Sequence, residues 1–348
     1  MTTLVIEPTT VSGAELDHYL ERGWYRIGNT MMTCRYYVSE GGCYATIWTR
    51  LPLKNYAFRK GLRKLLSRRQ RRFRTTVQRL VLDHKREDLY TAYLSVAPGE
   101  RASTLEEFLG GEQGIGMFDT WEIGIWDGDT LVGMSLFDPG DIAMQSLSGL
   151  YHPDYARYGL GFYSMVLEVK YAMELDLEYH YSGYVVPGLP FMDYKWRLGG
   201  DMEVLHPDQG TWQHHSELDD IENPADRLKA ELATADVALR LAGLRSQWRL
   251  NEMFEARHID PALSACVIQP LVLDLDPERD GGMRTLITWE VERRMFLLLR
   301  CVQLMGRLVP ADGDESRART VTYWLVVDEL AASTISEHIA AAAKKAMR

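Results

Sequence analysis

The sequence predicts an α+β fold built on a mixed sheet with flanking helices, and three observations predict it. Strand-like runs over Thr120–Trp126, Thr130–Asp138 and Ala143–Tyr151 form a meander around an Asp127-Gly128-Asp129 turn. A helical run follows over Phe162–Leu175, fed by the glycines at 159 and 161. An aromatic strand, Tyr179–Val185, comes next. Meander, glycine turn, helix and strand in that order describe a sheet covered by helices.

The elements before the meander read as a small module. Val11–Gly23 is a helix capped by Ser12 with Glu15 three residues on, and Leu16, Tyr19 and Leu20 share one face. Trp24–Leu53 alternates aromatic and polar residues, as strands with a Gly41-Gly42 turn would. Phe58–Arg72 is helical, Phe73–Val81 a strand, and Lys85–Val96 a helix whose Leu89, Tyr93 and Val96 lie together. Ser103–Leu109 opens a helix with Glu106 in capping-box position, and Gly110–Gly116 is a loop. After Trp212 the pattern changes. Pro224–His258 reads as one or two amphipathic helices, Ala265–Asp274 and Thr320–Val327 as strands, and Ala332–Met347 as a closing helix. The expected division is 1–110, with a basic segment at 54–86, then a core at 111–212, then an α+β region at 213–348.

The chain has 348 residues and 46% hydrophobic content, enough to bury a full core. Its N-terminus lacks a basic stretch followed by an apolar run. The apolar stretch Met295–Val309 is cut by Arg300 and Arg307 and is too short to span a bilayer. A soluble cytoplasmic protein is the expectation. Cys34, Cys43, Cys266 and Cys301 have no CxxC spacing, so reduced structural thiols are expected, with no metal and no resident cofactor.

Charge is unevenly divided. The net charge is -10, yet 13 Lys or Arg and one Asp lie between Lys54 and Arg86, leaving -22 elsewhere. Such a segment attracts a polyanion locally while the remaining surface repels it. A solvated helix balanced by acidic residues is the plainer alternative.

Two constellations carry chemistry. Tyr151-His-Pro-Asp154-Tyr-Ala-Arg157-Tyr-Gly159-Leu-Gly161 lies between strand and helix, where glycines let backbone N–H groups approach an anion. Tyr179-His-Tyr181-Ser-Gly183-Tyr184 is followed by a loop and by Met192-Asp193-Tyr194-Lys195. The second resembles the arginyl-tRNA-protein transferase family, which has Gly-Tyr, a short loop and Met-Asn-Tyr-Lys there, with Asp193 where that family has Asn. Tyr151–Gly161 and Trp121–Asp138 match the same family. So do Gly23-Trp24-Tyr25-Arg26-Ile27-Gly28 and the arginine-rich Arg68–Arg74, which brings the resemblance to about residues 15–203. The family's closely spaced N-terminal cysteines are reduced here to Cys34 and Cys43, two where a cluster needs four.

The resemblance implies a GNAT-like (acyl-CoA N-acyltransferase-like) core and transfer of an amino acid, arginine favoured, from aminoacyl-tRNA to the N-terminal amine of a protein or peptide. Reaction between the strands 143–151 and 179–184 follows from it. Tyr181, Tyr184, Asp154 and Asp193 are the candidate catalytic residues. Arg157, Gly159, Gly161, Gly183, Tyr194 and Lys195 would bind substrate, and Arg63, Lys64, Arg68, Arg69, Arg71, Arg72 and Arg74 would grip tRNA phosphates. The alternatives are an acyl-CoA-dependent GNAT enzyme and a non-catalytic binding module. His214-His215 reads as a solvated pair, since no third ligand stands nearby in sequence.

Overall fold

In the computed structural model, which describes residues 3–39, 41–97, 101–259, 263–278, 282–308 and 318–347, the chain begins with β1 (Thr3–Ile6) and α1 (Gly13–Glu21). Strands β2 (Tyr25–Ile27), β3 (Thr30–Cys34), β4 (Tyr36–Ser39), β5 (Gly42–Ala45) and β6 (Ile47–Pro52) follow. Then come α2 (Lys60–Gln70), β7 (Arg74–Arg79), α3 (His84–Leu94) and the single turns α4 (Leu105–Phe108) and α5 (Gly111–Gly114). The meander is β8 (Trp121–Asp127), β9 (Thr130–Pro139) and β10 (Ala143–Tyr151). A 3₁₀ segment (Pro153–Tyr158), α6 (Leu160–Glu174), β11 (Tyr179–Val185), a second 3₁₀ segment (Pro190–Leu198), β12 (Glu203–Leu205) and β13 (Trp212–His214) come next. The remainder holds α7 (Pro224–Leu241), β14 (Gln247–Leu250), α8 (Ala256–Ile259), β15 (Leu271–Asp274), β16 (Gly282–Glu290), β17 (Met295–Leu308), β18 (Arg319–Ser333) and α9 (Ser336–Ala346).

The chain divides into two compact units, one formed by residues 5–33 with 47–221, the other by 1–4, 34–46 and 222–348. In the first, an eight-stranded sheet has the order β13-β12-β6-β11-β10-β9-β8-β7. It is antiparallel except where β10 and β11 run parallel, the consequence of the α6 crossover. Helix α6 buries Phe162, Tyr163, Val166 and Val169 against Phe137 and Met144 on one face. On the opposite face α3 packs Leu89, Tyr90 and Tyr93 against Met134, Leu136 and Leu150. The alternation of β9, with Phe137 on one face and Leu136 on the other, sends its side chains into both cores, which is why the strand reads as nearly continuously apolar. In the second unit, the order β14-β15-β16-β17-β18 makes a five-stranded antiparallel sheet, and α7 and α9 pack together.

The capping box at Ser12 and Glu15 forms as the sequence predicts, each side chain taking the other's backbone N–H. Several expectations are corrected. Thr104, not Ser103, caps α4, accepting from the N–H of Glu107, because Glu107 turns back to Ser103 and Glu87 takes the N–H groups of Leu105 and Glu106. Gly110–Gly116 contains the helical turn α5, entered through Gly110 at φ 94°. Val96 lies beyond α3 and is exposed. The helical run from Pro224 stops at Leu241, where Gly243 takes φ 81°, and residues 247–250 become the edge strand β14. Strand β15 begins only at Leu271, while β18 runs on through Ala332 and delays the last helix to Ser336. Among the described residues no helix is long and apolar enough to cross a membrane.

Candidate active site

Strands β10 and β11 pair through Ala143↔Tyr179, Met144↔His180 and Gln145↔Tyr181. Beyond that, β10 stays with β9 as far as Tyr151, while β11 stays with β6 as far as Val185. A bulge between Ser146 and Ser148 bends one strand, and a second between Tyr181 and Gly183 bends the other. Bulges break the ladder and raise the local twist, so the strands part where the two irregularities meet.

The gap is walled by residues from distant parts of the chain. Gly183 has φ 83°, and a Cβ there would stand 3.4 Å from Lys195 Nζ and 3.4 Å from Tyr25 Cζ. Glycine suits this left-handed backbone, and Lys195 and Tyr25 both lie within contact distance of it. Lys195 is 8% exposed and donates from Nζ to the carbonyl of Tyr184. Burial lowers its ammonium to about 7. The ring of Trp48 is 5.6 Å from Tyr25 and 5.2 Å from Tyr184, centroid to centroid. Burial, and next the negative charge of Glu168, push the Tyr25 phenol well above its usual range. Thr49 anchors the bulge, its hydroxyl bonding Ser182 Oγ and the Gly183 carbonyl at 2.9 Å each.

On the α6 face lies a fully buried chain of polar groups. Glu168 accepts from Ser135 and meets His180 Nε2 at 2.8 Å, all three side chains shut off from solvent. His180 Nδ1 and Gln145 Oε1 find no hydrogen-bond partner among the described residues. Across the sheet, Arg26 forms a buried pair with Asp138 at 2.9 Å and spends its other donors on Thr120, Gly28 and Leu109. That network holds β2, and with it Tyr25, against the sheet.

Gly159 takes φ 61° and ends the 3₁₀ segment, and α6 starts at Leu160. Tyr158, just before it, gathers three guanidinium groups around its ring: Arg69 at 5.3 Å, Arg72 at 5.0 Å and Arg157 at 5.0 Å. Arg72 also pairs with Asp127 at 2.8 Å. Helix α2 places Leu62 and Leu66 in the core, which leaves Arg63, Lys64, Arg68, Arg71 and Arg72 on exposed positions, and Arg74 follows at the start of β7 over Trp126. Arg197 lies 4.1 Å above Phe162 in the first turn of α6 and accepts from Arg59 through its carbonyl. The basic segment and the glycine turn thus belong to one surface.

Of the residues singled out from sequence, Gly183, Tyr184 and Lys195 converge at the parted strands, and Tyr194 reaches Phe162, 6.4 Å between centroids. Gly161 lies beneath Tyr151 and Gly149. Tyr181 is buried among Leu16, Leu20 and Ala143, its hydroxyl accepting from Arg50 at 3.2 Å, and burial carries its phenol to about 12. Asp154 points outward with 84% of its side chain exposed, and Asp193 is also exposed. Lys195, expected to hold phosphate, is instead covered. The His215 ring lies tilted 4.5 Å from His214 and 5.7 Å from Trp196, centroid to centroid.

Sequence reasoning missed Tyr25, Glu168 and His180 as site residues. Tyr25 stood in the Gly-Trp-Tyr-Arg run, the only available signal; Glu168 sits in an apolar helical face, an unpaired charge that asks for a partner. Beside the gap, Leu20, Tyr25, Trp48, Thr49, Tyr181 and Trp212 line a shallow surface depression with no room for a water molecule. Its wall is aromatic and holds no carboxylate.

Residues 71–203 match the family model for the arginine-tRNA-protein transferase C terminus. An aspartate/glutamate leucyltransferase from Leptospira interrogans is 28% identical over 204 residues, 54% of this chain and 73% of that protein. Among solved structures, the C-terminal domain (DUF2156) of a lysylphosphatidylglycerol synthetase from Agrobacterium fabrum is matched with a TM-score of 0.34 at 12% identity. That match covers 40% of this chain and 47% of the other, about half its length. A GCN5-related N-acetyltransferase from Kribbella flavida gives a TM-score of 0.24 at 15% identity, over 42% and 60% of the two chains.

Proposed function

From the premise that residues 71–203 resemble the arginine-tRNA-protein transferase family, we propose that this chain moves an amino acid from aminoacyl-tRNA to the amine of a protein or peptide. The observation that carries this reading is the convergence of Arg69, Arg72 and Arg157 on Tyr158, at the turn that opens α6 beside the parted strands. A tRNA acceptor stem laid along α2 would neutralise those cations, and its 3′ end would follow the glycine turn into the gap. Coenzyme A needs only the turn and one or two cations, so the length of the basic surface favours the larger donor.

The parted β10 and β11, with α6 starting at the gap, support a GNAT-like arrangement in which the acyl carbonyl lies between the strands. Aminolysis of an ester is downhill, so the protein mainly aligns amine and carbonyl and handles a proton. Leucine is the donor we favour over arginine, because the relative named above is a leucyltransferase.

The test is incubation with radiolabelled Leu-, Arg- and Phe-tRNA and a panel of peptides differing at the N-terminal residue. Labelled peptide from Leu-tRNA is the expected result. Label from Arg-tRNA alone would overturn the donor assignment, and no label from any tRNA, with thermal stabilisation by coenzyme A, would overturn the reading as a whole.

A further inference from the structure

We propose that Lys195 is the general base of this transfer, its uncharged amine taking the proton of the attacking acceptor amine at the parted strands; this rests on the transferase reading above. The geometry is specific. Nζ is held beside Gly183 by a hydrogen bond to the Tyr184 carbonyl, and Nζ and the Tyr25 ring both stand 3.4 Å from where a side chain at Gly183 would begin. No carboxylate lies within ion-pair distance of Nζ among the described residues. A neutral amine that donates one N–H to a carbonyl keeps its lone pair available to accept a proton, which is what a base needs.

The groups around Nζ are consistent with a neutral amine. Strand β2 contributes the Tyr25 phenol and β11 the Tyr184 phenol, while its own segment contributes Asp193 and Tyr194, both exposed, and Arg197, whose charge lies over Phe162. From α6 comes Glu168, whose carboxylate is already committed to His180 and Ser135. With the ammonium form disfavoured by burial and no anion beside it, the amine is available near neutral pH.

The proton count closes without a co-reactant. The acceptor amine adds to the ester carbonyl and forms the C–N bond. Its surplus proton passes to Lys195 Nζ. As the C–O bond to the terminal ribose breaks, Nζ returns that proton to the departing oxygen, leaving an amide, a free tRNA hydroxyl and a neutral lysine.

The experiment compares the wild type with Lys195→Arg, which keeps a cation but cannot deprotonate, and with Lys195→Ala supplied with methylamine. Peptide product is followed across pH, and folding is checked by thermal melting. In the wild type, kcat rises with pH and levels off above about 7. Both variants are expected to lose roughly 10²–10⁴ in kcat with KM for tRNA within about threefold. Methylamine is expected to restore peptide product in Lys195→Ala with a pH dependence that follows the added amine. A Lys195→Arg enzyme within threefold of the wild type, or a folded Lys195→Ala enzyme that methylamine leaves unrescued, overturns the proposal. A wild type inactive with every charged tRNA overturns the transferase reading itself, a separate outcome.

Discussion

The guanidinium of Arg72 lies 5.0 Å from the ring centroid of Tyr158, one residue before the turn that starts α6. This contact ties the basic segment to the glycine turn, two features far apart in the sequence. Reversing the charge at Arg68, Arg69 and Arg72 together removes the centre of that surface. The expected result is tRNA affinity lowered at least tenfold, and a slope of log K against log salt reduced by about 2. Retained binding with an unchanged slope would show that the stripe makes no phosphate contacts.

The pair Glu168 and His180 is shut off from water on both sides. Removing one partner leaves the other unsatisfied in the core, so Glu168→Ala should cost about 3–5 kcal/mol of stability. Urea titration measures it. A loss below about 1 kcal/mol would mean that water reaches the site.

Gly183→Ala tests the left-handed backbone at φ 83° and the approach of Lys195 and Tyr25. A side chain there costs about 1–2 kcal/mol in backbone strain, which the β11 backbone relieves by shifting beside Lys195 and Tyr25. The variant should fold, melt a few degrees lower, and lose most transfer activity. Full activity would show that the gap at Gly183 does not position the reacting groups.

Lys195 also makes stability depend on pH. Its folded value is lowered from 10.5 to about 7, so between those values the unfolded chain binds the extra proton and stability rises with pH. Lys195→Met removes the buried ammonium, and its stability gain should be largest below pH 7, fall steadily through pH 10 and vanish only above 10.5. Equal gains at pH 6 and pH 10 in chemical denaturation would contradict the buried charge.

Cys34, Cys43 and Cys301 are buried, and burial raises each thiol to about 12. Such thiols react as thiolates only to a very small extent near neutrality. Iodoacetamide at pH 8 should leave all three unmodified in the native protein and alkylate them in guanidinium. Rapid native labelling of Cys34 or Cys43 would place those thiols in contact with solvent.

Local rules explain most of what was legible. The Ser12 capping box, the Asp-Gly hairpin between β8 and β9, and the 3.6 period of α6 act over a few residues, and each formed where the sequence predicts. Where two local signals compete, the reading slipped by a residue, as at Ser103 and Thr104, because Glu87 supplies a partner from another helix. Strand β14 was misread as helix since its status rests on pairing with β15, a contact that no property of residues 247–250 announces.

The sequence by itself determined the mixed α+β class, the resemblance over the central segment, the cationic stripe and the glycine turn, because these depend on composition and on short-range spacing. Only the tertiary structure decided that Tyr25 from β2 meets Lys195 from the segment after β11, that Glu168 finds His180, and that the Lys195 amine is covered. Those facts follow from the parting of two strands and the packing of a helix across them, and burial, which sets the protonation of a lysine, is a property of the whole fold.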